Sequence, residues 1–169
     1  TVNGVTRGMG LSANTRYGNA YVYNSGDLTV SGEAVFAYGI SSNASSYDAF
    51  LNGYEGGSDI INTGDITVTS NVLAVGIQAQ EAFGDLLIYN AGHVSAVVDN
   101  DDYGNAIGVS GRNVYGNLDI INLGDITVSS GANAAGIIAE SAGYEGYYYS
   151  FPADIAIVSD GAVSVTSGY

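Results

Sequence analysis

Asp59-Ile-Ile-Asn-Thr-Gly-Asp-Ile-Thr-Val68 and Asp119-Ile-Ile-Asn-Leu-Gly-Asp-Ile-Thr-Val128 are one phrase written twice with a single substitution. Looser copies run from Tyr21 to Val30, Leu87 to Ala96 and Ala156 to Val165. Within them, apolar and polar residues alternate: Ile66 and Val68 with Thr67 and Thr69, Leu28 and Val30 with Thr29 and Ser31. A period of two is the signature of a strand with one buried face, and it excludes a helical repeat. The Asn-x-Gly between the two halves is tight-turn chemistry. Each phrase therefore reads as strand a, a turn, and strand b.

A third element recurs in the same order, at Met9-Gly10-Leu11, Tyr38-Gly39-Ile40, Val75-Gly76-Ile77, Ile107-Gly108-Val109 and Ala135-Gly136-Ile137. With this strand c, each repeat runs c, loop, a, turn, b, loop. Like residues stand at like positions: Val22, Ile60, Ile88, Ile120 and Ile157 in strand a, and Leu11, Ile40, Ile77, Val109 and Ile137 in strand c. Stacked coil on coil, they would form one shared core. The expected fold is all-β, a three-sided parallel β-helix of five imperfect rungs forming a single domain over residues 1–169. Right-handed winding is the default for parallel crossovers. Five rungs would span about 24 Å. An antiparallel sandwich also has short strands and turns, but it has no need of one three-strand phrase repeated throughout. The residues are expected to start on a strand c and stop on a strand b, in whole rungs with bare sheet edges at both ends. Such a chain is either cut from a longer solenoid or stacks end to end with copies of itself.

The Asn-x-Gly-Asp-Ile-Thr-Val phrase, followed by Ala134-Ala-Gly-Ile137, resembles the repeats of bacterial autotransporter passenger domains and related large β-helical adhesins. The resemblance implies a surface-exposed β-helix that mediates adhesion or aggregation. Members of that family run much longer and carry a membrane barrel, which these residues do not include.

Composition narrows the function. Seventeen acidic residues face three arginines (Arg7, Arg16, Arg112) and no lysine, for a formal charge of −14. That balance argues against a nucleic acid partner, whose phosphates need cations, and against an anionic membrane surface. No apolar run approaches the length of a membrane-spanning helix, so no membrane insertion of this segment is expected. The absence of cysteine excludes disulfides and thiolate metal sites.

Candidate sites follow from the repeat. The turn residues Asn24, Asn62, Asn90 and Asn122, with Ser159 in the fifth copy, read as a hydrogen-bonded ladder of the scaffold. The loop Asp99-Asn-Asp-Asp-Tyr-Gly-Asn105 offers Asp99, Asp101 and Asp102 as oxygen ligands for calcium, the one cofactor considered, although a solvated acidic loop accounts for the same residues. Tyrosine is concentrated in loops: Tyr54 lies in Gly53-Tyr-Glu-Gly56, which recurs around Tyr144 and leads into Tyr147, Tyr148 and Tyr149. Tyrosine brings contact area and a polar tip, so these residues are candidates for a contact surface, unless the loops fold back and bury them. Gly39, Gly76, Gly108 and Gly136, beside alanines, are expected on a smooth outward face of strand c that admits close approach.

Catalysis has little material. The single histidine, His93, stands where three other copies carry Asp27, Asp65 and Asp125. Asp59 and Asp119 share an outward position, yet two rungs would hold them about 9–10 Å apart, wide for a pair of glycosidic carboxylates. The leading expectation is a non-enzymatic, extracellular or cell-surface structural or adhesive protein, self-associating end to end or laterally, with surface glycans or other cells as further partners. A solenoid that binds ice or another crystal is the alternative, on the hydroxyl pairs of strand b. A polysaccharide-active β-helix enzyme is the second alternative.

Overall fold

The structure, a computed structural model, describes all residues except 4–5, 17, 32–34, 45–55, 82, 100–102, 143, 146–149, 152 and 169. The described residues contain strands and no helix. The strands of type c are β2 (Arg7–Thr15), β5 (Phe36–Ala44), β8 (Leu73–Glu81), β11 (Asn105–Asn113) and β14 (Asn133–Ser141). Those of type a are β3 (Ala20–Asn24), β6 (Ser58–Asn62), β9 (Leu86–Asn90), β12 (Leu118–Asn122) and β17 (Ile155–Ser159). Those of type b are β4 (Leu28–Ser31), β7 (Ile66–Ser70), β10 (Val94–Val98), β13 (Ile126–Ser130) and β18 (Val163–Ser167), preceded by a stub, β1 (Val2–Asn3). Each type forms its own sheet, and each strand pairs in parallel with its counterpart one coil away. The chain is a three-sided parallel β-helix. A small antiparallel pair, β15 (Tyr144–Glu145) and β16 (Ser150–Phe151), interrupts the fifth coil.

Stacking is in register with the repeat. Ile60, Ile88 and Ile120 form one fully buried column, Ile40, Ile77 and Val109 a second, and Ile66, Val94 and Ile126 a third. Like-on-like columns of β-branched residues suit a parallel sheet because each side chain packs on an identical or closely similar neighbour.

The outward glycine face is not there. Gly39, Gly76, Gly108 and Gly136 are buried, and Ala37, Ala74 and Ala106 are fully enclosed. Alternation counted outward from Val109 puts Gly108 in solvent, but the strand bends at the glycine, so Gly108 and Val109 both point inward. The first half of each c strand then packs on sheet b and the second half on sheet a. A Cβ on Gly108 would press into the Ile126 side chain, and one on Gly111 into Leu118 and Ile120. Glycine stands here because the bend brings another sheet's side chains against the backbone. The rank just before these glycines is Tyr38, Val75 and Ile107, of which Val75 is buried and the other two half-buried.

At the a–b turn the asparagine ladder is complete. Asn24 Nδ2 donates to Asn62 Oδ1 at 2.7 Å, Asn62 to Asn90 at 2.7 Å, Asn90 to Asn122 at 2.8 Å, and Asn122 to Ser159 Oγ at 3.3 Å. Each amide also donates to the carbonyl of the glycine two residues on, as Asn62 does to Gly64 at 2.7 Å. The ladder thus closes the turn and ties the coils together. No non-glycine residue with positive φ occurs among the described residues, so these asparagines are not there for left-handed backbone. The turn glycines do not need it either: positive φ is confined to Gly18, Gly84, Gly104 and Gly116 among the described residues. Gly64, Gly92, Gly124 and Gly161 are glycine because a Cβ there would overlap the carbonyl oxygen of the turn glycine one coil away.

The ends differ from whole-rung bookkeeping. β1 places Val2 opposite Val30 and Asn3 opposite Ser31, a fragment of a b strand ahead of the first c strand. At the other end, the inward side chains of the fifth coil lie open: Ile157 is 49% exposed and Val165 45%, where Ile120 and Val128 beneath them are at most 1% exposed.

Candidate interaction surfaces

Among the described residues, three surfaces stand out once the core is set aside. On sheet b the outward residues Thr29, Thr67, Ser95, Thr127 and Ser164 stand in register, one per coil. Beside them Thr69, Val97, Ser129 and Thr166 form a second rank, interrupted by its valine. The open fifth coil is the second surface.

The third is the outer side of sheet a. Tyr23, Ile61, Tyr89, Ile121 and Val158 align along the axis, with Tyr21, Asp59, Leu87, Asp119 and Ala156 in the neighbouring rank. This apolar column was missed in the sequence, although the alternation that buries Ile60 and Ile120 also sends Ile61 and Ile121 outward. Asp59 and Asp119 do flank Leu87, two coils apart. Burial pushes the Asp59 carboxyl above the usual carboxylate range, and the nearby Asp85 charge adds to the effect.

Charge on the outside is otherwise simple. The ion pair found among the described residues joins Arg112 and Glu140 at 3.7 Å, both well exposed, so it adds little stability. Arg7 lies over the Tyr38 ring, 5.5 Å from its centre. The turn aspartates are structural: Asp65 Oδ1 accepts the His93 amide at 2.8 Å, and Asp125 Oδ1 the Ala162 amide at 2.9 Å, each one coil on. His93 takes the Asp position of the same turn, as the repeat indicated.

Of the tyrosine candidates, Tyr54, Tyr147, Tyr148 and Tyr149 lie outside the described residues, and Tyr144 contributes its backbone to the β15–β16 pair. Of the calcium candidates, Asp101 and Asp102 lie outside the described residues; Asp99 is exposed just beyond β10, its amide bonded to the Ser70 carbonyl at 3.0 Å. Among the described residues no group of three or more His, Cys, Asp or Glu side chains is placed to hold a metal. No described helix is long and apolar enough to cross a membrane. Compared with protein families, curated proteins and solved structures, the chain finds no match.

Proposed function

We propose that this chain is a structural or adhesive module of an extracellular surface, extended by stacking further coils on its open end. The observation that carries the reading is the fifth coil. Ile157, Val163 and Val165 hold core positions, yet each is more than two-fifths exposed, at 49%, 44% and 45%. The strands β14, β17 and β18 also end their sheets, leaving backbone donors and acceptors along the edge. A further coil, from the same polypeptide or from another copy, satisfies both needs. Copies added in one direction do not close on themselves, so they form a filament. The absence of lysine favours this reading, since lysine on the edge is a usual defence against such pairing. The surface location rests on the resemblance of the repeats to passenger domains.

Light scattering and electron microscopy of the 169-residue chain test the proposal. Mass that rises with concentration, with rods of uniform width, supports it. A chain that stays monomeric up to its solubility limit removes other copies as the source of the further coils.

A second reading has one observation in its favour. The hydroxyl rank from Thr29 to Ser164 presents one donor-acceptor group per coil, about 4.8 Å apart, on an exposed parallel sheet. Such an array suits an ordered surface such as ice. Thermal hysteresis that disappears in Thr67→Lys would favour it over the structural reading.

A further inference from the structure

The apolar column on sheet a runs the full length of the solenoid, about 20 Å from Tyr23 to Val158. Tyr23 is 58% exposed, Val158 55% and Tyr21, beside the column, 57%, while Ile61, Tyr89 and Ile121 between them are half-buried. Contiguous apolar surface of this extent usually marks an interaction site. The face is also acidic on both borders. Asp59, Asp85 and Asp119 lie on the side from which the strands enter, and Asp65, Asp125 and Asp160 on the side of the turns. No strand of sheet a contains an arginine or a lysine; Arg7 and Arg112 belong to sheet c, and Arg16, the one other cation, lies in the connection from β2 to β3. The surface is therefore a greasy track between two rows of carboxylates.

We propose that this track binds a cationic amphipathic polypeptide segment, its apolar side chains along the Tyr23–Val158 column and its lysines or arginines on the flanking aspartates. Charge complementarity selects this occupant. A second copy docking through the same face would bring its own acidic borders against these. A neutral apolar partner would desolvate the carboxylates and return nothing for it. A cation beside Asp59 relieves the repulsion from Asp85 and replaces the water that burial removes. Tyrosine suits the track because its ring stacks on apolar chains and on guanidinium groups alike.

The probe is a pair of synthetic peptides, alternating leucine with lysine or leucine with glutamate, each carrying one tryptophan. The protein has no tryptophan, so the fluorescence reports the peptide alone. The measurement uses the full chain at concentrations where scattering shows it monomeric, which separates this result from the fate of the filament proposal. The lysine peptide should bind with a blue-shifted emission, at least about tenfold more tightly than the glutamate peptide. Raising the salt should weaken it. The double variant Tyr23→Ser/Tyr89→Ser, altered only on the outward face, should lose about tenfold in affinity. Asp59→Asn/Asp119→Asn should weaken the preference for lysine; circular dichroism verifies that each variant is folded. Equal binding of the two peptides, or a Tyr23→Ser/Tyr89→Ser variant that keeps the parent affinity, overturns the proposal. The second outcome would mean that net charge alone attracts the peptide.

Discussion

Asn90 donates one side-chain amide to both the Gly92 carbonyl, at 2.8 Å, and Asn122 Oδ1, at 2.8 Å, while its own Oδ1 accepts from Asn62. Asn62, Asn90 and Asn122 are fully buried, and three groups depend on Asn90 alone. Asn90→Ala strands the Asn62 donor, the Gly92 carbonyl and the Asn122 acceptor together. The expected loss is about 2–4 kcal/mol by urea denaturation, since a buried polar group left unpaired costs its full desolvation. Asn24→Ala, at the end of the ladder where only Asn62 Oδ1 and the exposed Gly26 carbonyl depend on it, should cost about 1 kcal/mol or less. Equal losses at the two positions would show that the ladder is not cooperative along the axis.

Stacking, not backbone conformation, demands glycine at the turns, and two of them separate these causes. Neither Gly26 nor Gly92 has a positive φ. A Cβ on Gly92 would overlap the Gly64 backbone, whereas one on Gly26 meets nothing within 4 Å. Gly92→Ala should cost more than about 2 kcal/mol, because the coils must be prised apart. Gly26→Ala should be neutral or stabilise by up to about 1 kcal/mol through the unfolded chain. Equilibrium unfolding of the pair tests this directly, and a destabilised Gly26→Ala would return the argument to backbone strain.

The isoleucine column offers an internal control for burial. Ile120 is fully enclosed and Ile157, one coil above it, is half open. Ile120→Ala should cost about 2–5 kcal/mol and Ile157→Ala about 1 kcal/mol, read from denaturation midpoints of the monomer. Ile120→Asp should abolish folding, because an unpaired charge would sit in the shared core. If filaments form, Ile157→Ala should become costly in the assembled state, where a further coil covers it.

Asp59 supplies a pH-dependent term of known sign. Its folded carboxyl holds its proton more firmly than the ordinary value of 3.8, through burial and then the Asp85 charge. The folded state therefore binds more protons than the unfolded one between the two values, and stability falls as the pH rises through them. Asp59→Asn removes the term. The variant should match the parent below pH 3.8 and become the more stable of the two as the pH approaches neutrality. Thermal melts across that range check it. A variant less stable than the parent at neutral pH would mean that the Asp59 charge is compensated.

The ladders of Ile60, Ile88 and Ile120 and of Asn62, Asn90 and Asn122 were legible because each residue recurs at a fixed offset from a recognisable turn. Register then followed with no further information. The orientation of Gly108 was not legible by the same rule. Alternation is local, and the side chains of Ile126 and Val128 that crowd Gly108 belong to another sheet, which its own strand does not reveal. The same limit explains the stub β1, whose two residues show no period and are strand only because Val30 and Ser31 offer an edge. The column of Tyr23, Tyr89 and Ile121 was implicit in the alternation. Its residues resemble core, and only the stacking shows that a whole rank of them faces water.

The stub also decides how copies could join. In a continuous solenoid, β14 and β17 of one copy lie against β2 and β3 of the next, and β18 must then lie against β4. That place is held by β1, through Val2 opposite Val30 and Asn3 opposite Ser31. A neighbour's β18, with five residues, competes there with a strand of two. End-to-end growth therefore requires β1 to leave, at the cost of the small surface that Val2 covers. Removing residues 1–3 should lower the concentration at which scattering mass begins to rise, without changing the shape of the particles. Val165→Lys, at the opposite end, should suppress growth in both forms, because a charge would have to enter the joined core. If removing residues 1–3 leaves the onset unchanged or raises it, the copies do not join through sheet b in this register.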